Sequence, residues 1–299
     1  MITAKKDIYE YLDDYHRGNI TMGLGIGLLD FDFYLRFKAG EFTVINGLDN
    51  VGKTAWMLWY FLALSVKHDL KWCIWSGENK SGQLVRQMIE WKTGKKLKDL
   101  SFVDVSRQQI EIEAWFTFVD NKNSYTNKQL YTIFNDSGCD GALIDPFTGM
   151  KREYTHAGNY DFLNETREFC NSTQKSIYVN THVVSEAARR TYAIEHEYSG
   201  YPMPPSKSQS EGGQPFANRP DNFITIHRLV GHPTMKYKTL IYTRKIKDTE
   251  TGGEVVAIEE PIQFDYNNGL GFTLNGQNIL NPISIDDLAL SKLQENKFF

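Results

Sequence analysis

The sequence lacks the features that mark secreted and membrane proteins. Its 299 residues include only three cysteines, Cys73, Cys139 and Cys170, an odd number at wide spacing. Such a set forms neither a disulfide framework nor a zinc-binding motif, so we expect reduced, structural thiols. No apolar run approaches the roughly 18 to 20 residues that span a bilayer, and the polar start M-I-T-A-K-K-D lacks the apolar core of a signal peptide. We therefore expect a cytoplasmic protein with no membrane partner.

A strong charge of either sign is also missing. The formal net charge is −4, with 23% charged and 41% hydrophobic residues. This balance is typical of globular proteins and argues against disordered and fibrous classes. Mild acidity argues against a surface that is basic overall, but a basic patch inside a channel would not show in the total. Charge therefore leaves nucleic-acid binding open, and the length allows one large or two small domains.

One segment carries a complete phosphate-binding motif. Residues 47–54 read G-L-D-N-V-G-K-T, between the apolar run 42–45 and a helix-forming run from 55 to 66. A strand that turns through glycines into a helix start points several backbone N–H groups at one spot, which suits a polyphosphate. A glycine-rich turn with an incidental lysine is the alternative. The predicted nucleotide contacts are Gly47, Leu48, Asp49, Asn50, Val51, Gly52, Lys53, Thr54 and Ala55.

The motif also predicts the cofactors, which are ATP or another nucleoside triphosphate and Mg²⁺. Lys53 is expected to reach the β and γ phosphates, and Thr54 to ligate magnesium. Asp145 closes the apolar run 141–144 and is predicted to hold the magnesium together with Thr54. Because many strands end in a turn-forming Asp, this second assignment depends on the phosphate loop that precedes it in the chain.

Two further polar residues follow predicted strands. Glu78 follows the apolar run 73–75 and is predicted to orient and deprotonate the attacking water. Its alternative is a helix N-terminal acid that interacts favourably with the helix dipole. His182 follows the run 178–181 and is predicted to sense the γ phosphate through a hydrogen bond. Its alternative is a structural histidine.

Short β-rich apolar runs alternate with helical stretches, which is typical of a largely parallel sheet covered on both faces. The predicted strands are 42–46, 72–76, 101–105, 142–145, 176–181, 222–228, 239–245 and 255–259. The predicted helices are 53–67, 80–92, 127–136 and 160–172. A short amphipathic helix is predicted from Lys5 to His16, and a long loop from Tyr198 to Pro220.

The order of these motifs resembles the ATPase domain of the hexameric replicative helicases, the DnaB-like and bacteriophage primase-helicase family. The resemblance covers roughly residues 20 to 265. It rests on the segments 25–30, 38–41, 76–86, 145–147, 181–182 and 210–222, in addition to the phosphate loop. It implies an α/β fold with a RecA-like P-loop NTPase core, in which helices flank a largely parallel twisted sheet with an antiparallel C-terminal extension.

The resemblance also implies a function, an ATP-dependent DNA helicase that translocates on single-stranded DNA as a ring, with a hexamer expected, in a bacterial or phage-infected cell. Two alternatives stay open. A recombinase would share the fold and the phosphate loop but would form filaments and exchange strands. A non-motor ATP-dependent switch or scaffold would bind the nucleotide without translocating.

In the family, a K-x-R stretch on a late strand completes the ATP site of the neighbouring subunit. The corresponding stretch is 243–247, in which Arg244 is the only arginine and Lys247 stands in the register of the family's arginine. Lysine is a poorer planar donor to the transition state than arginine. A solvated, basic strand end is the alternative interpretation.

We divide the chain into an N-terminal linker helix at 1–20, a RecA-like ATPase domain at 21–275 and a C-terminal tail at 276–299. The family's linker helix packs on a neighbouring subunit and closes the ring. The tail ends in E-N-K-F-F, and we interpret it as a docking peptide for a primase, polymerase or loader. The alternative interpretation is a terminus that is disordered or packs on its own chain.

Single-stranded DNA is expected to contact channel-facing loops that combine cations with aromatic residues. The predicted DNA contacts are Lys151, Arg152, Arg189, Arg190 and Lys207. Each could equally be a solvated surface residue.

Overall fold

The computed structural model describes residues 5–281, and within this part nine strands form one sheet. The strands are β1 (Phe42–Asn46), β2 (Trp72–Ser76), β3 (Phe116–Phe118), β4 (Gly141–Asp145), β5 (Ser176–Asn180), β6 (Asn222–His227), β7 (Lys238–Lys245), β8 (Ile262–Tyr266) and β9 (Phe272–Thr273). Their order across the sheet is β3-β2-β4-β5-β1-β6-β7-β8-β9.

Helices cover both faces of this sheet. They are α1 (Lys5–His16), α2 (Leu29–Asp32), α3 (Lys53–His68), α4 (Ser81–Thr93), α5 (Phe102–Trp115), α6 (Asn127–Asp136), α7 (His156–Thr173), α8 (Ser185–Arg189) and α9 (Gln214–Asn218). The predicted α/β fold class is confirmed. In the part of the chain that the structure describes, no helix is both long and apolar enough to cross a membrane.

The strand order brings the functional segments to one edge of the sheet. The strands β1, β2, β4, β5 and β6 run parallel to their neighbours in this group, and β7, β8 and β9 follow as an antiparallel extension. The carboxyl ends of the parallel strands therefore meet at the same edge, which is where ligands bind in open α/β sheets. The residues that end these strands are Asn46, Ser76, Asp145, Asn180 and His227.

Helix α3 follows the phosphate loop and fixes its position. It begins at Lys53, directly after Gly52, and every residue from Trp56 to Ser65 is buried. A helix that is apolar on all sides must lie inside the protein, and α3 packs against one face of the sheet in a core rich in tryptophan and phenylalanine. A second apolar core fills the other face of the sheet, beneath α6 and α7.

The strand predicted at 101–105 is wrong, because this segment begins helix α5. Ser101 caps the helix, and its side-chain oxygen accepts a hydrogen bond from the backbone N–H of Asp104 at 3.1 Å. The alternation of Phe102, Val103 and Val105 with polar residues favoured a strand, but the capping serine and the local hydrogen bonds favour a helix. The strand β3, which follows α5 directly, was not predicted.

The strand predicted at 255–259 is also wrong. The backbone N–H of Val256 donates to Thr243, but the segment stays outside the ladder, and the strand that pairs with β7 is β8 at Ile262–Tyr266. The long loop predicted from Tyr198 to Pro220 holds one turn of 3₁₀ helix and α9. The tail residues 282–299, including the predicted docking peptide, lie outside the described residues.

Candidate functional site

The phosphate loop leaves the end of β1 and enters α3 through backbone conformations that favour glycine. Gly52 has φ of 89° and Asn50 has φ of 60°, both in the left-handed region. A Cβ atom at Gly47 would lie 2.3 Å from the carbonyl oxygen of Ile226, so only glycine fits there. The loop and the first turn of α3 together direct backbone N–H groups at one point, as an anion-binding nest requires.

Lys53 is folded back onto this loop. Its Nζ donates hydrogen bonds to the carbonyl oxygens of Gly47 at 2.8 Å and Leu48 at 3.0 Å. Burial lowers the pKa of Lys53, and the nearby carboxylates of Asp145, Asp49 and Glu78 oppose that shift. The ammonium group is therefore held where phosphate oxygens could replace the two carbonyl acceptors.

Asp145 sits fully buried at the end of β4, among hydrogen-bond donors from three other elements. Its Oδ2 accepts from Thr54 Oγ1 at 2.8 Å and from Ser76 Oγ at 3.2 Å, and its Oδ1 accepts from Asn180 Nδ2 at 2.7 Å. Burial raises the pKa of Asp145, whereas these three hydrogen bonds lower it. A carboxylate that is buried this completely favours a nearby cation.

These groups fit Mg²⁺. The oxygens that meet here are the carboxylate of Asp145 and the hydroxyls of Thr54 and Ser76, which are hard ligands of the kind that Mg²⁺ prefers. Within residues 5–281 no group of three or more His, Cys, Asp or Glu side chains could hold a metal ion. Mg²⁺ does not require such a cage, because it is commonly bound through one or two carboxylates together with substrate phosphates. Thr54 and Asp145 are the residues that would hold it.

We predict that Asp145→Asn leaves the apo protein at least as stable as the wild type but abolishes stabilisation by Mg²⁺ with nucleotide. The amide keeps the shape of the carboxylate, and the hydroxyls of Thr54 and Ser76 can accept hydrogen bonds as well as donate them. Thermal unfolding, with and without Mg²⁺ and ATP, measures both effects. A variant that keeps the full Mg²⁺-dependent rise in Tm would contradict the assignment of Asp145.

The raised pKa of Asp145 also predicts a pH dependence. Protonation is easier in the folded state than in the unfolded state, so the contribution of Asp145 to the free energy of unfolding falls as pH rises from the ordinary carboxyl pKa through the raised value. Asp145→Asn removes this pH-dependent contribution, because an amide does not titrate. The difference in Tm between the variant and the wild type, both in the apo state, should therefore shift in favour of the variant as pH rises through that window.

Glu78 and His182 face each other across the opening of the site. The Nε2 of His182 lies 3.4 Å from Glu78 Oε1, and its Nδ1 lies 3.4 Å from Asp49 Oδ1 in the phosphate loop. The Glu78 side chain is 60% exposed, so water has access to its carboxylate. The imidazole therefore connects the predicted base to the phosphate loop.

The turn that carries Glu78 is held in place by a residue that the sequence did not point to. Asn121 Nδ2 donates to the backbone carbonyls of Ser76 at 3.0 Å and Asn79 at 2.9 Å. Ser76 and Asn180 were also missed, although Ser76 ends a predicted apolar strand and Asn180 is the last residue but one of another, which was a usable signal.

Arg228 is a further residue that the sequence analysis missed. Its guanidinium lies over the ring of Tyr266 at 4.6 Å, and its Nη2 is 3.3 Å from the position that a Cβ at Gly52 would take. It supports the phosphate loop from behind.

A cleft of about 560 Å³ opens over these groups. Its walls are formed by the phosphate loop, the start of α4, the end of β4 and His182. The lining residues are Asp49, Asn50, Gly52, Lys53, Thr54, Ala55, Glu78, Asn79, Leu84, Gln87, Asp145, Pro146 and His182. The structure thus brings together the phosphate-loop lysine and threonine, the predicted magnesium ligand, the predicted base and the predicted sensor.

The segment 183–210, which we call the second loop, leaves and returns beside His182. Val183 and Ser210 form a β-bridge, and the backbone N–H of Glu211 donates to the carbonyl of His182 at 2.8 Å. Thr181 Oγ1 also donates to the carbonyl of Glu211 at 3.1 Å. A shift of His182 would therefore act on both ends of the second loop.

The predicted DNA contacts differ in their surroundings. Lys151, Arg189 and Arg190 are exposed, and Lys207 is half-buried. Arg152 is half-buried, and its Nη2 donates to Gly158 O at 2.8 Å and Asn159 Oδ1 at 2.7 Å. Its guanidinium also packs over the ring of Phe162, so contacts within the chain hold this side chain, unlike those of the exposed cations.

The two predicted finger residues, Arg244 and Lys247, do not line the cleft of their own chain. Strand β7 runs antiparallel to β6, so its last residues lie at the amino edge of the parallel strands. Lys247 is 63% exposed and pairs with Asp221 at 3.0 Å, whereas the guanidinium of Arg244 packs over the ring of Tyr242. Neither residue can complete the ATP site of its own chain.

Comparison with solved structures supports the fold. The structure resembles the ATPase domain of G40P with a TM-score of 0.71 and 12% sequence identity, over 91% of this chain and 98% of that one. It also resembles a DnaB-like replicative helicase, solved in a study of its interactions with primase, with a TM-score of 0.67 and 12% identity over 91% of this chain and 67% of that one. No protein-family model and no curated protein sequence matches the chain. The resemblance seen in the sequence is thereby confirmed at the level of the fold.

Proposed function

We propose that this chain, which has the fold of the ATPase domains of DnaB-like replicative helicases, is an ATP-driven motor that translocates on single-stranded DNA as a ring-shaped oligomer. The observation that carries the proposal is the chain of contacts from the phosphate loop through His182 to both ends of the second loop. A simple nucleotide-binding scaffold has no need for such a connection.

The predicted functional residues of the cleft have defined roles in this proposal. Backbone N–H groups of the phosphate loop and Lys53 bind the β and γ phosphates, and Thr54 and Asp145 hold Mg²⁺, which neutralises phosphate charge when bound. Glu78 accepts a proton from the attacking water, since its carboxylate is exposed at the mouth of the cleft. His182 contacts Glu78 and Asp49 and senses whether a γ phosphate is present.

The site is incomplete without a second copy of the chain. Charge that develops on the transferred phosphoryl group needs a cation opposite Lys53. In the described part of the chain, no Arg or Lys other than Lys53 lines the cleft. Lys247 of a neighbouring subunit, exposed at the amino edge of the sheet, is our candidate for that cation.

Two exposed apolar helix faces are candidates for the ring interface. No residue of α1 is buried, and Ile8, Leu12 and Tyr15 lie on one side of this helix. On α5, Phe102 and Ile110 are 85% and 68% exposed. Solvent-facing apolar stripes of this kind mark interaction surfaces.

Helix α1 and the segment before α5 differ in charge. Helix α1 carries Asp7, Glu10, Asp13 and Asp14 beside Lys5 and Lys6, whereas residues 95–98 include Lys95, Lys96 and Lys98 and no acid; α5 itself carries Asp104, Glu111 and Glu113 with Arg107. We propose that α1 of one subunit packs on α5 of the next. This gives the linker helix of the sequence analysis a specific docking site.

We predict that Leu12→Asp and Ile110→Asp each dissociate the oligomer without lowering the Tm of the monomer. Both side chains are exposed in the single chain, so a charge there costs little stability until a partner must bury it. Light scattering with Mg²⁺ and ATP measures the mass. Lys6→Gln, on the polar side of α1, is the matched control and should leave the mass unchanged. A ring that survives both Asp substitutions would exclude this interface.

Unwinding of a forked DNA duplex tests the proposed function. We expect strand displacement that requires ATP and Mg²⁺ and proceeds with one polarity on the loading strand. Pairing of homologous strands without unwinding would favour the recombinase, which shares the fold. ATP binding that changes partner binding, with no DNA-dependent activity, would favour the non-motor switch.

A further inference from the structure

Arg244 lies on the face of the sheet that the second loop covers. It follows Tyr242 by two residues on β7, and the guanidinium carbon lies 4.3 Å from the centre of the Tyr242 ring. Its Nη2 donates to the carbonyl oxygen of Pro205, in the second loop, at 3.4 Å. Burial lowers the pKa of Arg244, and the rings of Tyr242 and Tyr192 oppose that shift. Arg244 is therefore clamped between the sheet and the loop.

A β-bulge sets the direction of this side chain. In the pairing of β6 with β7, Phe223 faces Lys245 and Ile224 faces Thr243, which leaves Arg244 without a partner residue. Bulges insert one extra residue into a strand and redirect its side chain. The backbone thus has a dedicated irregularity at the position of Arg244.

The part of the loop that Arg244 contacts is also tied to the phosphate loop. Asn46, the residue directly before Gly47, donates from Nδ2 to Ser206 O at 3.0 Å and to Ser210 Oγ at 3.1 Å. Its Oδ1 accepts from Thr225 Oγ1 at 2.7 Å. The segment 205–210 is therefore bound by Asn46 at Ser206 and Ser210 and by Arg244 at the neighbouring Pro205.

We propose that Arg244 is a positioning residue that anchors the second loop to the sheet and sets its readiness to bind DNA. This inference rests on the proposed function and assigns Arg244 a role different from the finger. The guanidinium of Arg244 is half-buried, packs on Tyr242 and donates to Pro205 of its own chain, whereas Lys247, two residues beyond the end of β7, is 63% exposed.

The anchor is suited to release. The Nε of Arg244 is buried and has no hydrogen-bond partner among residues 5–281. An unpaired buried donor destabilises the closed arrangement, which offsets part of the cation–π and hydrogen-bond stabilisation. Lifting the loop would hydrate this donor, so engagement of the loop by DNA works against only a modest barrier.

Hydrogen exchange of the apo protein, together with ATPase titrations, tests the anchor. In Arg244→Ala we expect faster amide exchange across residues 191–206, and in Arg244→Lys an intermediate rate, because lysine keeps the charge but loses the planar stack. The oligonucleotide concentration for half-maximal ATPase stimulation should rise roughly tenfold in Arg244→Ala, while the rate without DNA stays close to wild type. Lys236→Ala is the matched control, since Lys236 lies over the Tyr237 ring at 5.1 Å and is exposed.

The outcomes separate the anchor from the finger and from the helicase proposal. Unchanged exchange at 191–206 in Arg244→Ala overturns the anchor. So does a loss of ATP hydrolysis without DNA that is restored by mixing with Glu78→Gln subunits, which is the behaviour of a finger. If DNA does not stimulate ATP hydrolysis by the wild-type protein, the helicase proposal is contradicted instead. The hydrogen-exchange measurement still tests the anchor in that case.

Discussion

Replacing Glu78 with Gln should reduce the kcat for ATP by roughly 10² to 10⁴ while leaving ATP affinity nearly unchanged. Gln keeps the shape of the side chain and its contact with His182 but cannot accept the proton of the attacking water. The binding groups for phosphate and Mg²⁺, Lys53, Thr54 and Asp145, are separate from Glu78 and stay intact. Steady-state hydrolysis and binding of a labelled ATP measure the two quantities.

Glu168→Gln is the matched control for this prediction, because Glu168 is an exposed residue of α7 outside the cleft. It should hydrolyse ATP at the wild-type rate. A Glu78→Gln protein that retains more than a tenth of the wild-type kcat would show that Glu78 is a helix N-terminal acid and that another group deprotonates the water.

Replacing Lys247 with Ala should lower ATP hydrolysis by at least about a hundredfold, because each Lys247 completes the ATP site of the neighbouring subunit. Mixing this variant with Glu78→Gln subunits should restore part of the activity. Cations supplied in trans contribute large factors to phosphoryl transfer, and arginine fingers reach 10³ to 10⁵. The fold should survive, since Asp221 keeps its pairing with Arg167 at 2.7 Å and its backbone donor from Phe42 at 3.0 Å.

Mixing provides the decisive control because each variant alone is inactive for a different reason. A site is complete when its own subunit has Glu78 and the neighbouring subunit has Lys247. In rings that assemble at random from equal amounts of the two variants, about a quarter of all sites meet both conditions. We expect about a quarter of the wild-type rate from the mixture. No recovery, or a Lys247→Ala protein of full activity, would remove Lys247 from the trans site and leave it as a solvated strand end.

Much of the nucleotide site was predictable from the sequence because it is local. The phosphate loop needs only a strand, a turn and a helix that are continuous in the chain. The roles of Ser76, Asn180 and Asn121 depend on which strands are neighbours. That order is a tertiary property, so a single sequence without contacts could not assign them.

Side-chain direction was the other limit. The sequence analysis treated Arg152 and Arg244 as cations available to DNA or to a neighbouring subunit. A sequence alone does not distinguish an arginine that faces solvent from one that packs on aromatic rings. In the structure Arg152 lies over Phe162 and Arg244 over Tyr242. The error at 101–105 has a local cause, the capping role of Ser101, which outweighed the apolar pattern that followed it.

The most direct test of the account is the rate of ATP hydrolysis with and without a single-stranded oligonucleotide, recorded together with the mass by light scattering. Coupling free energies between binding sites commonly correspond to factors of about 5 to 150. We predict stimulation of roughly tenfold or more by DNA, in a protein of ring-sized mass. A monomer that hydrolyses ATP at the same rate with and without DNA would contradict the motor and leave a nucleotide-dependent switch built on the same fold.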